Sequence, residues 1–136
     1  MTSSNLNTTS STLTAARLAA TLVNEGRTAE EDGRHPAAAD LYAAALDTAG
    51  TITELPVSTN AEAAAVAMHA LAQLRGLDGM EIHNKEGRAL LAASLARADA
   101  GIAAVMRFLA RQARVDLSEL GCGYFIGDGW QGIAAA

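Results

Sequence analysis

The residues of this chain that could carry catalytic or metal chemistry are three histidines and one cysteine. His35 precedes a proline in a turn, His69 falls on the polar side of a helical pattern, and His83 lies near the start of the next helix. No two histidines are four residues apart and no Glu-x-x-His pair occurs, so the ligand spacing of a helical zinc or di-iron site is missing. We therefore predict exposed or edge histidines, and no metal or cofactor.

Cys122 lies between Gly121 and Gly123, directly after a short predicted turn. A reactive thiolate needs an electropositive setting or a helix N-terminus, whereas this cysteine follows the end of the turn. The pairs Gly121-x-Gly123 and Gly127-x-Gly129 do not form a phosphate-binding loop, because no predicted strand precedes them and no helix follows. We predict no catalytic residues, and an enzyme that uses Cys122 is the least favoured alternative.

Four arginines share one face of the last predicted helix. Arg107, Arg111 and Arg114 are spaced at i, i+4 and i+7, and Arg97 lies within about 80° of them by the helical period. Between Arg97 and Arg114, no acid of that helix lies on this face. This face is a docking surface for an acidic protein or for phosphates. Alternatively, it is a solvated helix face, or its arginines pair with acids of the first two helices. The residues between the arginines are small, namely Ala93, Ala96, Ala100 and Ala104.

Three of the five aromatic residues stand in the Gly-rich C-terminal segment: Tyr124, Phe125 and Trp130. Exposed Trp and Tyr are typical anchors of protein interfaces. These residues either cover one end of a thin helical core or complete an interface with a partner.

The composition indicates one small domain with a modest core. The chain has 136 residues, a net charge of -5, many alanines and a single lysine, Lys85. An acidic protein is poorly suited to general DNA coating, which needs clustered Lys and Arg. One cysteine fits a reducing compartment. No signal-peptide pattern and no uninterrupted apolar run of about 18 residues is present, so we expect a cytoplasmic protein without a membrane contact.

Apolar periodicity predicts an all-α four-helix bundle of two antiparallel hairpins with a long fourth helix. We expect a disordered Ser/Thr-rich arm at 1–11, a helical domain at 12–120 and an irregular Gly/aromatic-rich extension at 121–136. The helices are predicted at 12–32, at 36–49, from the Thr59 cap to Arg75, and from Gly79 or Asn84 to Arg114. The stripe expected to face the core in the last helix comprises Leu91, Leu95, Ala98, Ile102, Val105, Met106, Leu109 and Ala113.

Residues 19–52 resemble one tetratricopeptide repeat, a helical hairpin with small residues where the helices cross. With Gly26 at the first small position, Gly33 falls at the turn and Tyr42 at the aromatic position of the second helix. Glu25 and Gly50 depart from the family pattern, and the later helices do not repeat it. Any tight Ala-rich hairpin could converge on this spacing, whereas a true repeat implies protein or peptide binding. The remaining matching positions are Leu22, Ala38 and Ala45.

These features favour a non-enzymatic interaction module: an adaptor, a chaperone-like subunit or an inhibitor of a larger protein. Partner binding is assigned to the Arg face of the last helix and to the aromatic tail. Self-association through Ala-rich faces is a further expectation. The alternative function is binding of nucleic acid, or regulation of nucleic-acid machinery, through the same Arg face.

Overall fold

The computed structural model describes residues 10–77, 82–120 and 124, and they form an all-α bundle. Its helices are α1 (Ser11–Glu31), α2 (His35–Ile52), α3 (Asn60–Arg75) and α4 (Lys85–Ala113), followed by a short 3-10 helix (Leu117–Leu120). No strand occurs in this part of the chain. The predicted all-α fold class is confirmed, and most observed helix ends lie within a residue or two of the predicted ones.

Capping side chains explain where three of the helices begin. The hydroxyls of Ser10 and Thr59 each accept the backbone N–H three residues on, at 3.1 Å. The Asn84 side chain accepts the Gly87 N–H at 2.6 Å, so α4 begins at this second of the two predicted starts. The other start, at Gly79, lies outside the described residues. Each cap satisfies a backbone donor that the first helical turn leaves without a partner.

The α1–α2 hairpin is held by close contact between a glycine and an aromatic ring. A Cβ added at Gly26 would lie 2.8 Å from Cε1 of Tyr42, so only a residue without a side chain fits there. The Tyr42 hydroxyl donates to Oε1 of Glu30 at 3.3 Å. Gly33, with φ of 78°, supplies the left-handed residue that ends α1 before the short turn. Gly26 therefore lets α1 and α2 approach each other closely at Tyr42.

The core is thin because alanine supplies most of it. Among the residues that the structure describes, eight of the twelve buried hydrophobic ones are alanines. Helix α3 packs mainly on α4 and also contacts α1 and α2. Phe108 of α4 is the one aromatic residue in the central cluster. That cluster comprises Ala19, Ile52, Val57, Ala63, Val66 and Phe108.

The expectation that the Leu stripe of α4 faces the core is wrong for three of its large side chains. Leu95, Ile102 and Leu109 remain 45%, 39% and 53% exposed. A Cβ added at Gly101 would lie 3.1 Å from Cβ of both Ala70 and Thr53. The backbone of α4 therefore approaches α3 and Thr53 through small residues. As a result, the buried face of α4 is rotated away from Leu95 and Leu109. Its buried residues are Gly87, Ala98, Gly101, Ala103 and Phe108.

By length and composition, α4 is also apolar enough to cross a membrane. The criterion of an uninterrupted apolar run does not detect it, because Arg97 and Asp99 interrupt the sequence. A core helix of a soluble protein meets the same test of length and composition. Only 17% of the apolar stretch is buried within the protein, so its exposed side needs a separate explanation.

Candidate partner-binding cleft

Two of the four predicted arginines line one open cleft. Arg107 and Arg111 of α4 form one wall, and the connection from Thr53 to Val57 between α2 and α3 forms the other. The cleft has a volume of about 560 Å³. The small side chains of α4 leave the room between the two walls. They belong to Ala100, Ala103 and Ala104.

The wall opposite the arginines is fixed by hydrogen bonds to distant segments. The Thr12 hydroxyl, fully buried at the start of α1, donates to the Pro56 carbonyl at 2.7 Å. Thr53 packs against the bare backbone of Gly101. Thr53 also lines the cleft, and its buried hydroxyl oxygen has no hydrogen-bond partner in the described part of the chain. The cleft is therefore bounded by a positioned loop.

Glu62, at the first turn of α3, secures the same loop from the other side. One carboxylate oxygen accepts the Ser10 hydroxyl at 2.6 Å, and the other accepts the Ser58 N–H and hydroxyl, both at 2.8 Å. These hydrogen bonds lower the pKa of Glu62 to about 2. The bond from the Ser10 hydroxyl has the largest effect, and the bond from the Ser58 N–H has the next largest. The spacing from Thr59 to Glu62 predicts the helix cap, but it does not reveal that this carboxylate joins three segments.

The cleft arginines have no acidic partner in the described residues. The ion pair found there joins Arg34 and Asp32, at 3.3 Å on the surface. Glu54 lines the cleft as well, yet it forms no ion pair with Arg107 or Arg111. Among the described residues, therefore, no acid of the first two helices forms an ion pair with Arg107 or Arg111. Two guanidinium groups remain available to an external acid.

The other predicted contact residues do not join this pair. Arg97 is half-buried beside the end of α2, where a Cβ added at Gly50 would lie 3.9 Å from its guanidinium carbon. Arg114 is exposed and ends α4 in the left-handed conformation, with φ of 57°. Tyr124 is 88% exposed. Phe125 and Trp130 lie outside the described residues.

The histidines and the cysteine give no catalytic or metal arrangement that the structure describes. His35 and His83 are exposed, and His69 is half-buried. Burial lowers the pKa of His69, and its buried Nε2 has no hydrogen-bond partner in the described part of the chain. Among residues 10–77, 82–120 and 124, no group of three His, Cys, Asp or Glu residues could hold a metal ion. Cys122 lies outside them.

A second surface feature, missed by sequence reasoning, is an apolar groove between α3 and α4. It has a volume of about 240 Å³ and almost no polar atom in its walls. Periodicity assigns Leu71, Leu74 and Ile102 to the core, so it does not mark them as surface residues. The groove is lined by Ala67, Leu71, Leu74, Ile102, Val105 and Met106.

Comparison of this chain with protein-family models, with curated proteins and with solved structures finds no match. The resemblance of residues 19–52 to a tetratricopeptide repeat therefore stays a prediction. Functional inference for this protein rests on the geometry of the cleft and the groove.

Proposed function

We propose that this protein is a non-enzymatic interaction module that binds an acidic segment of a partner protein in the Arg107–Arg111 cleft. The observation that carries this proposal is that two guanidinium groups line one cleft of a protein of net charge -5, with no acidic partner among the described residues. Most other basic residues in the described part of the chain also have no ion pair. Arg107 and Arg111 are distinguished because both line the same cleft.

The chemistry of the cleft fits carboxylate side chains. A guanidinium offers planar, paired N–H donors that match a carboxylate, and such charge-assisted bonds are stronger than neutral ones. Arg107 is half-buried, so part of its charge is shielded from bulk water and salt screens its interactions less. The Ala-lined floor allows an extended peptide to approach both arginines together. Acidic side chains spaced along such a peptide would meet them in turn.

A protein partner is favoured over nucleic acid by the number and setting of the cations. Two cleft arginines neutralise few phosphates, and the negative net charge opposes a polyanion at long range. No aromatic side chain lines the described walls of the cleft, whereas sequence-tolerant binding of single strands uses aromatic stacking. Tyr124, Phe125 and Trp130 extend this proposal as additional contacts for the protein partner.

The direct test measures binding of a fluorescent oligoglutamate peptide by anisotropy at low salt. The variant Arg107→Gln/Arg111→Gln removes both cleft cations. A matched control, Arg17→Gln/Arg27→Gln, removes the same charge from exposed positions of α1. We expect the cleft variant to weaken binding about tenfold or more and the control to change it less than twofold, since each charge-assisted bond contributes about 1.5–3 kcal/mol.

Two results would reject this assignment. The first is equal loss of affinity in the cleft and control variants, which would mean that only net charge matters. The second is tighter binding of a single-stranded oligonucleotide than of the peptide, with steep salt dependence and the same loss on Arg107 and Arg111 substitution. That second result would establish the nucleic-acid alternative.

A further inference from the structure

The apolar side of α4 forms one continuous exposed surface with α3. The α3–α4 groove shares Leu74 and Ile102 with a neighbouring cleft that also contains Leu95. Met68 and Leu109 extend the surface by about one turn on each helix. These exposed side chains form the α3–α4 apolar face: Met68 58%, Leu71 51%, Leu74 39%, Leu95 45%, Ile102 39% and Leu109 53%.

The size of this face fits the centre of an oligomer interface. The exposed fractions together amount to nearly three complete Leu, Ile or Met residues, which is on the order of a few hundred Å². That is about as large as the largest apolar patch of an ordinary monomer. A standard interface buries about 800 Å² per partner and is only a little more than half apolar. The face therefore supplies the apolar centre, and the polar residues around it supply the rest.

The spacing along α4 is self-complementary. Leu95, Ile102 and Leu109 follow one another at intervals of seven residues, as in one line of a coiled-coil seam. In an antiparallel pair of α4 helices that cross at Ile102, Leu95 of each copy meets Leu109 of the other. The two-fold axis thus repeats each of these apolar contacts on both sides of Ile102, as an interface between two identical surfaces requires.

A lipid surface fits this face less well than a second copy does. Arg107 and Arg111 lie on the far side of α4, roughly 160° from Leu109 by the helical period. Interfacial helices instead carry their cations beside the apolar face, where they meet anionic headgroups.

We infer that the α3–α4 apolar face is the interface of a symmetric homodimer, in which the α4 helices of two copies cross antiparallel at Ile102. The groove then receives an aliphatic side chain of the other copy, and the two α3–α4 hairpins form one four-helix layer. This interface lies on the opposite side of α4 from the Arg107–Arg111 cleft and does not depend on the proposed function.

Sedimentation equilibrium of the full chain tests this inference. We expect a wild-type dimer, and we expect Leu95→Glu/Leu109→Glu to raise the dimer dissociation constant at least about a hundredfold, because the pairing would bury four carboxylates. Leu90→Glu is the matched control. Leu90 is 58% exposed on the same helix but lies roughly 120° from the seam, so its substitution leaves the dimer intact. Far-UV circular dichroism verifies that each variant is helical.

Oxidative cross-linking provides a second readout that needs no destabilising charge. In a Cys122→Ser background, Ile102→Cys should cross-link to itself, and Leu95→Cys protein should cross-link to Leu109→Cys protein. A wild-type chain that stays monomeric at its highest soluble concentration overturns the inference. A dimer that persists in the double Glu variant, or that cross-links Leu109→Cys to itself, also overturns it.

Discussion

Replacement of Glu62 by Gln gives the sharpest test of how the cleft loop is held. Glu62 is 6% exposed and accepts three hydrogen bonds from Ser10 and Ser58. Its pKa is lowered from 4.5 to about 2. At 1.36 kcal/mol per unit, that difference corresponds to at most about 3.4 kcal/mol of folding free energy. Because an amide presents a donor to part of this cluster, we expect Glu62→Gln to lower the free energy of unfolding by about 2–3 kcal/mol at pH 7.

The pH dependence of this loss follows from the sign of the pKa change. The folded state holds the Glu62 proton less tightly than the unfolded chain, so the carboxylate stabilises the fold above the unfolded pKa of about 4.5. That contribution falls as the pH is lowered from about 5 and is lost near pH 2. The difference between wild type and Glu62→Gln should therefore shrink over the same range.

Urea unfolding followed by far-UV circular dichroism at pH 7, 5, 4 and 3 measures this difference directly. Glu54→Gln is the matched control, because Glu54 belongs to the same connection but is exposed and makes no side-chain hydrogen bond with a described residue. We expect that control to change stability by less than about 0.5 kcal/mol. A Glu62→Gln difference that is equally small at pH 7, or that is the same at pH 3 and pH 7, would refute the reasoning.

Two further predictions concern glycines at helix contacts. Gly26→Ala should destabilise the protein by up to about 2 kcal/mol, because the crowding against Tyr42 at 2.8 Å outweighs the helix propensity gained. In a Tyr42→Ala background, the same change should instead stabilise the protein by about 1 kcal/mol. Destabilisation in both backgrounds would contradict the contact between Gly26 and Tyr42. Gly101→Val should lower the free energy of unfolding by about 1–3 kcal/mol, because it separates α4 from α3 and from Thr53. Gly50→Ala should raise the urea midpoint slightly, because the nearest atom to the added Cβ is 3.9 Å away. If the two midpoints came in the reverse order, α4 would not pack through Gly101.

The helices could be predicted from sequence because their signals are local. Thr59 and Asn84 cap helices three residues before the backbone N–H groups that they accept, and Gly33 ends α1 through its own φ angle. The buried side of α4 could not be predicted in this way. Periodicity locates the apolar side of a helix, but Gly101 permits a backbone contact that no larger residue allows. That contact decides the packing and leaves Leu95 and Ile102 at the surface.

The cleft was predictable only in part, for the same physical reason. Arg107 and Arg111 are four residues apart, so the helical period alone places them together. Their opposite wall comes from a connection about fifty residues earlier in the chain. Thr12 holds that connection at the Pro56 carbonyl, and Glu62 links its end at Ser58 to Ser10. No spacing rule relates those residues. The sequence therefore indicates the cations, and the structure adds the cleft in which they act.

The two proposed surfaces lie on opposite sides of one helix, and this makes them separable. The buried residues Ala98, Gly101 and Phe108 lie between the Arg face and the leucine seam of α4. Arg107→Gln/Arg111→Gln should therefore weaken peptide binding without changing the dimer, and a seam variant should dissociate the dimer without changing the affinity of one cleft. A dimer would also carry two clefts, so a partner with two acidic segments should bind it more tightly than a partner with one. If the seam variant loses this extra affinity for the partner with two acidic segments, the two surfaces are linked only by the number of clefts in the dimer. No structural coupling across α4 would then be needed.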